Sequence, residues 1–455
     1  MEVFNDITKR FKIPQNKVKL VGNQYAGPPS SFQIAKLSQG LIAAVAAVSL
    51  ELMSAESKTA TVNKLHSVAE FHSEQLLLKD GKPVPSSSLY PIGGHHRTKD
   101  GWVRIHDGYT HHIKGSYELA VGKKMESKDP KELKAELSEA LLGWDAVDYE
   151  TEAAKLRLPV SAVRSCQQWE IEKNIDFSEF PVSIVKTGDA PAKPLSGPLP
   201  LSGEKVLELN RVIAAPVCGK VLAAHGVDNT WVTSPNLPTA PELDLDFTKG
   251  KRRVSLDFEK EQDVETLWTM IEGTDMLIQS YAPGSLEKRL GLPLKDIHTR
   301  NKGIIVGTLS AYGPGKWSNK KGFDSLVQAA SGMNVSEGEY FGLESGTPKP
   351  CPCQVLDHAA GYFLALGLMI SRLRQAREGG SYMVEVSLAG VMAYLKKLGQ
   401  STENVNTPAV TREMLQGSGI LQDEDSRFGR LSFVSHPIKI DGTELTWDMA
   451  KWHAV

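Results

Sequence analysis

Hydrophobic positions change period along this chain, and the change marks its parts. From Lys205 onward, short β-rich runs alternate with helical patterns of small and aliphatic residues: VLEL, IAAPVCGKVLAA, then NTWVT. The alternation goes on through RRVSLD, DVETLWTMIEGT, DMLIQSY, a segment ending DIHTRN, and GIIVGTLSAYG. Short strands separated by helix-length segments mark successive βα units. Residues 204–400 are therefore expected to form an α/β large domain around a doubly wound, Rossmann-like parallel sheet. Ligand loops of such a sheet open at the carboxyl ends of its strands, here at Arg211, Ser280 and Ser310.

The first part of the chain reads differently. A small-residue helix is predicted near residues 35 to 53, TKDGWVRI reads as a turn running into an alternating strand, and the pattern is mostly helical from Lys131 to Lys173. Residues 90–187 are expected to be a smaller α+β domain. The Pro/Gly/Ser-rich stretch GDAPAKPLSGPLPLSG, residues 188–203, reads as a linker. Laying Gly40-Leu41-Ile42-Ala43-Ala44 on Gly361-Tyr362-Phe363-Leu364-Ala365 suggests an internal repeat. TVNKLHSVAEF then falls on MVEVSLAGVMAY with a one-residue gap, each a strand running into a helix. FPVSIVKTGDAPAKPLSG and LSFVSHPIKIDGTELTW pair as an alternating strand with a Pro/Gly turn. Residues 1–89 are thus read as the rear part of a first copy and residues 401–455 as a C-terminal return segment.

Composition narrows the partners. The 52 basic and 54 acidic residues leave a net charge of −2, which gives no electrostatic footprint for nucleic acid or an anionic membrane. The longest apolar stretch, LIAAVAAVSL, is too short to span a bilayer, and MEVFNDITKRFKIPQ has no signal core. Four cysteines, two of them in one C-P-C, make neither a disulfide framework nor a zinc site. A cytoplasmic protein is expected, with peroxisome and mitochondrion as open alternatives.

One stretch, CQVLDHAAGYFLALG, sets Asp357 and His358 before an apolar helix. An aspartate there is either an N-cap or, desolvated beside the helix N-terminus, a nucleophile. His358 is either structural or a proton-transfer group. The pairs His95-His96 and His111-His112 invite a metal reading, but adjacent side chains on a strand face opposite ways, so no metal is expected. In the alternative reading they line the mouth of a ligand pocket.

Several stretches, in order, resemble family III CoA-transferases (CaiB/BaiF), the group that includes formyl-CoA transferase, crotonobetainyl-CoA transferase and α-methylacyl-CoA racemase. They are VLELNRVIAAPVCGKVLAAHGVD, GKRRVSLD, IQSYAPGSLEKRLGL, GTLSAYGPGKWSNKKGFDSLVQAASG, LDHAAGYFLALG and EGGSYMVEVSL. The resemblance implies coenzyme A as acyl-CoA co-substrate, a carboxylic acid and its CoA thioester as reactants, and Asp357 as the nucleophile that forms acyl-anhydride and aspartyl-CoA intermediates. His358 is carried as its neighbour in the site. Lys251, Arg252, Arg289 and Lys321 occupy or adjoin positions that hold CoA in the family. Arg211, Ser280 and Pro283 lie in the loops of the cofactor crevice. Lys36 takes the position of Asp357 in the first copy, so that copy is expected to be inactive. Relatives commonly carry an acid in the second-strand motif, where this chain has VTSP, and Asn before the aromatic of the third, where it has Gln279-Ser280-Tyr281. The racemase branch carries Gly-His-Asp where Gly322-Phe323-Asp324 stands, which disfavours a racemase of that type. The alternatives are a lyase, isomerase or racemase of the same family, or a CoA-binding pseudo-enzyme. Because pieces of two copies share one chain, a monomeric pseudo-dimer or a simple homodimer is expected.

Overall fold

The structure is a computed structural model that describes residues 1–455 except 55–56, 85–90, 128, 174–175, 178–179, 283, 403–405 and 454–455, and except the side chains of 289, 452 and 453. Its largest sheet has seven strands in the spatial order Lys251–Ser255, Asp228–Thr233, Lys205–Leu209, Met276–Gln279, Ile305–Ser310, Ser381–Ser387 and Val182–Gly188. All neighbours are parallel except the last pair. The chain winds outward from Lys205–Leu209 to one edge, returns to Met276–Gln279, and winds to the other. That reversal is the switch point of a doubly wound sheet, and the crevice beside it is where such folds bind ligands. The α/β reading of the large domain therefore holds.

Strands in this sheet are apolar on both faces because helices cover both. Met276, Leu277 and Ile278 are all buried, as are Leu207 and Leu209. The helix Val355–Glu378 crosses from Ile305–Ser310 to Ser381–Ser387. It lies against the helix Ala214–Ala224, and Gly361 permits the close approach: a Cβ there would come within 2.5 Å of the Ala214 carbonyl oxygen. An alanine at this position would collide with backbone, so the helix would have to lift off its neighbour.

A second sheet joins Val18–Val21 and Ala60–Asn63 in parallel, with Ile438–Ile440 antiparallel to the latter. It has the arrangement of Ile305–Ser310, Ser381–Ser387 and Val182–Gly188 in the large sheet. In each the parallel pair is connected through a long apolar helix, Ile34–Leu52 or Val355–Glu378, and the two helices pack on one another. The helix Ile34–Leu52 is longer than the run LIAAVAAVSL suggests: its 19 residues are apolar enough, by length and composition, to cross a membrane. Here it is a core helix, buried from Leu37 to Leu50. Residues 421–434 form a hairpin whose second strand pairs with Leu78–Lys79, so the C-terminal segment returns onto the N-terminal one.

Residues 94–162 build a separate core. Strands Gly94–Arg97, Trp102–Ile105 and Val160–Ala162 make an antiparallel sheet against the helices Thr110–Val121, Pro130–Leu141 and Ala146–Lys155. Val103, Ile105, Leu137 and Tyr149 fill the space between. The predicted linker differs from expectation. Val182–Gly188 is the seventh strand of the large sheet, and residues 190–194 are bound to it: Arg372 donates to the carbonyls of Lys193 and Pro194 at 2.8 and 2.9 Å, and Lys193 pairs with Glu204 and Asp275. A Pro-rich composition signals an absence of helix and strand, not an absence of contacts.

Candidate active site

Asp357 is the third residue of the helix Val355–Glu378 and is 6% exposed. Helix N-termini leave backbone N–H groups that a capping oxygen must satisfy. That oxygen belongs to Asp324: its Oδ2 accepts from the backbone N–H of Leu356 at 2.7 Å and of Asp357 at 3.1 Å. Gln328 donates to the other Asp324 oxygen. The carboxyl of Asp357 is thereby relieved of capping and stays at the helix start. Of the two sequence readings, cap and nucleophile, the geometry assigns the first to Asp324.

Both carboxyls titrate above the ordinary range. Burial is the main cause for each; for Asp357 the nearby charges of Asp324 and Glu74 add to it, while hydrogen bonds from Asp357 N–H, Gln328 and Leu356 restrain the rise at Asp324. The Asp324 charge thus adds to burial in disfavouring ionisation of Asp357. His358 follows Asp357 and is fully buried, with Nε2 2.9 Å from Glu74 Oε2. Its ring stacks on Phe71 at 5.5 Å, and among the described residues Nδ1 has no hydrogen-bond partner.

The helix Ile34–Leu52 supplies an internal control. Gln33 precedes it at φ −77°, ψ 49°, and Gln354 precedes the other at φ −76°, ψ 62°, so the two helices start alike. The third residue of the first is Lys36, which is exposed. Nothing in helix initiation calls for an acid at that place.

The crevice at the switch point holds Arg211. Its guanidinium donates to the Pro238 carbonyl at 2.9 Å and lies 5.8 Å from the Tyr109 ring and 5.9 Å from the Tyr281 ring. Tyr109 comes from the edge of the small domain, so this cation sits where the two cores meet. Ser280 is next to Tyr281, with its backbone N–H bonded to the Leu209 carbonyl. Burial, followed by Lys321 and Arg211, lowers His111; burial, His111, Lys321 and Arg211 lower His112 to about 3, so both imidazoles are neutral. His112 is buried with neither ring nitrogen bonded among the described residues, and it faces Phe323, the residue before Asp324. Orphaned hydroxyls of Ser234 and Tyr281 lie in the same region. Arg211 and these hydroxyls are polar groups that the crevice offers a ligand.

Two expected CoA residues lie elsewhere. Lys251 is 0% exposed and engaged inside the sheet, pairing with Glu208 at 2.9 Å, donating to the Pro216 carbonyl at 2.8 Å and lying over Trp231. It neutralises a buried acid and is not available to a ligand. Arg252 pairs with Asp228 at the amino ends of their strands, opposite to the crevice. Pro283 and the side chain of Arg289 fall outside the described residues. His111 and His112 sit in the first turn of a helix rather than on a strand, whereas His95 and His96 are on a strand and point apart, to Asn334 and to Ser138. Asp324 and Glu74 were missed. The Gly-Phe-Asp turn is the local signal for Asp324; Glu74 is 284 residues from its partner and carries no local signal.

Residues 201–420 match CoA-transferase family III. The likeness to that family covers just under half of the chain. The chain is 30% identical over 218 residues to "Probable fatty acyl-CoA transferase Rv3272" of Mycobacterium tuberculosis, covering 45% of this chain and 54% of that protein. It is 28% identical over 200 residues to a formyl-CoA:oxalate CoA-transferase of Afipia carboxidovorans, covering 41% and 46%. Among solved structures, Rv3272 aligns with a TM-score of 0.41 at 29% identity over 45% of this chain and 57% of that one. A CaiB/BaiF family protein from Brucella suis aligns with a TM-score of 0.38 at 22% identity over 52% and 66%. The chain spans about half the length of the curated relatives it matches. The family III match ends at 420 and begins at 201, so Glu74, Tyr109 and His112 all come from outside it.

Proposed function

We propose that the protein transfers coenzyme A between carboxylic acids, with Asp357 as the covalent nucleophile. The observation that carries this reading is the Asp357 carboxyl held at a helix N-terminus where another acid, Asp324, does the capping. In the first step an Asp357 oxygen attacks the thioester carbonyl carbon, the C–S bond breaks, and CoA leaves as thiolate from a mixed anhydride. The thiolate then attacks the Asp357 carbonyl, expelling the donor acid as its carboxylate and leaving an aspartyl-CoA thioester. The acceptor carboxylate repeats both steps in reverse, so that Asp357 is regenerated and a new acyl-CoA departs. Positive dipole at the helix N-terminus favours the oxyanion that forms in each attack. CoA is a substrate throughout, and no bound metal enters the scheme.

Incubation with an acyl-CoA and hydroxylamine tests the reading: hydroxylamine cleaves either intermediate, leaving Asp357 as a hydroxamate 15 mass units heavier. The expected result is inactivation with modification at Asp357; unmodified Asp357 with CoA binding intact would sink covalent transfer. Arg211 is assigned to CoA binding rather than chemistry, so Arg211→Ala is expected to raise KM for acyl-CoA on the order of 10- to 100-fold with kcat changed much less. Equal loss in kcat would place Arg211 in the reacting geometry instead.

One observation favours a second reading. The His106 imidazole lies 3.8 Å from the Phe323 ring, stacked at 15°, so an imidazole does stand beside the Gly-Phe-Asp turn. Proton exchange at the carbon next to the thioester would follow if it reached substrate. Deuterium uptake there in D₂O without acyl exchange would favour an isomerase or racemase; a CoA-binding pseudo-enzyme would show neither. As to assembly, the packing of the N-terminal and C-terminal segments against one large domain supports a monomeric pseudo-dimer, which light scattering checks.

A further inference from the structure

The residues nearest His358 do not come from its own domain. Phe71 and Glu74 lie just past the helix Lys64–Glu70, in the N-terminal segment, and both reach the start of the helix Val355–Glu378. The same segment holds the large domain twice more: Glu70 pairs with Lys220 at 2.9 Å, and Ser73 donates to Asp246 at 2.6 Å. Glu74 thus follows two anchored residues, and its carboxylate meets Nε2 of an imidazole that is one residue from the proposed nucleophile.

We propose that Glu74 is a positioning residue of the candidate active site, which through its bond to His358 orients that imidazole and sets the pH at which Asp357 becomes a free carboxylate. The inference rests on the transfer reading of Asp357. Its physical content is a cluster of three acids and one imidazole around a helix start. A carboxylate bonded to one ring nitrogen fixes the tautomer and orientation of the ring. The Glu74 carboxylate is also, after burial and Asp324, among the causes that disfavour ionisation of Asp357. Groups facing this cluster from the packed elements are Asp324 from the Asp324–Ala330 helix, His72 from the N-terminal segment, Asp246 from the Pro241–Phe247 helix, and Cys353 just before Asp357. Asp246 is itself neutralised by Lys220 and Lys249, so Glu74 and Asp324 are the acids that oppose Asp357. Burial alone would raise Glu74, but the charge and hydrogen bond of His358 outweigh it and hold the carboxyl below its usual range, so Glu74 stays ionised where Asp357 titrates.

The sign follows. Removing the Glu74 charge relieves repulsion on Asp357, and the acid limb of any reaction that needs ionised Asp357 moves to lower pH. The experiment measures hydroxylamine trapping of Asp357 against pH in the full chain for wild type, Glu74→Gln and Glu74→Asp. The Gln variant is expected to shift the acid limb down by roughly half a pH unit or more, and the Asp variant to bring it back toward wild type. A folded Glu74→Gln protein with an unmoved acid limb overturns the proposal and leaves Glu74 a structural contact. Wild type untrapped at every pH overturns the transfer reading instead. In that case ¹³C-carboxyl titration of Asp357, which needs no turnover, decides the Glu74 coupling: a titration identical in Glu74→Gln and wild type rejects it. Glu74→Asp keeps the test alive if the Gln variant does not fold.

Discussion

Asp357→Asn is expected to abolish transfer while making the protein more stable. The first half follows from covalent chemistry: an amide cannot form the mixed anhydride, and loss of a nucleophile that acts as part of a unit costs roughly 10⁴-fold or more in kcat. The second half follows from burial. Asp357 sits against Asp324 and Glu74, and its carboxyl is pushed above its ordinary range first by desolvation and then by those two charges. A raised acid binds more protons folded than unfolded, so stability falls as pH rises from the unfolded value through the folded one. At neutral pH that penalty is present, and each pKa unit of elevation corresponds to about 1.4 kcal/mol. An isosteric amide removes it. Thermal melts should show a higher Tm for Asp357→Asn at pH 7 and no gain at pH 3 to 4, where the wild-type acid is protonated in both states. A merely structural Asp357, bound into the helix cap, would give the reverse: lower Tm and activity reduced in proportion to the folded fraction.

That contrast bears on what the amino-acid pattern made legible. The parallel sheet could be read because its strands are short apolar runs at regular spacing, and the Asp357 position because the family motifs fall in order around it. Lys36 and Asp357 are each the third residue of a helix preceded by a glutamine of nearly the same conformation. Cations were the failure. Lys251 and Arg252 sit in one basic run, yet Lys251 is buried on Glu208, two strands away, and Arg252 is turned to Asp228 on the neighbouring strand. A basic run shows where charge is, and only three dimensions show what neutralises it. Glu74 and Asp324 were missed for the same reason. Their importance lies in what they face, and the facing group is 284 residues away in one case and 33 in the other.

The other large effect is predicted for Lys220, which lies at the seam between the N-terminal segment and the large domain. Its side chain is fully buried, pairing with Glu70 at 2.9 Å and Asp246 at 3.0 Å and donating to Ser73 at 3.1 Å. Phe247 and Trp447 lie under the ammonium at 5.4 and 6.0 Å. Burial alone would lower this lysine, but the Asp246 and Glu70 charges outweigh it and hold it above the ordinary range. Replacing Lys220 by Met preserves length and removes the charge, leaving two acids buried with only Lys249 beside one of them. Breaking a buried pair in this way costs about 3–5 kcal/mol. Glu70→Gln together with Lys220→Met is expected to recover part of the loss, because the stranded charge goes with its partner. The pH dependence has a definite sign. Asp246 is held below its usual range because the Lys220 and Lys249 charges outweigh its burial, so its contribution is present at neutral pH and lost as pH falls through the acid range. Lys220, raised, contributes below the unfolded lysine value and fails only in strong alkali. Urea unfolding of Lys220→Met should therefore show the large deficit at pH 7, shrinking toward acid pH as Asp246 takes up its proton. Because Glu70 and Glu74 lie on the same segment, loss of the Lys220 anchor should also loosen Glu74 from His358, and Asp357 trapping in the surviving folded protein should lose its wild-type acid limb. A deficit of less than about 1 kcal/mol at pH 7, the range of an exposed pair, would show that the seam is not held by this cluster.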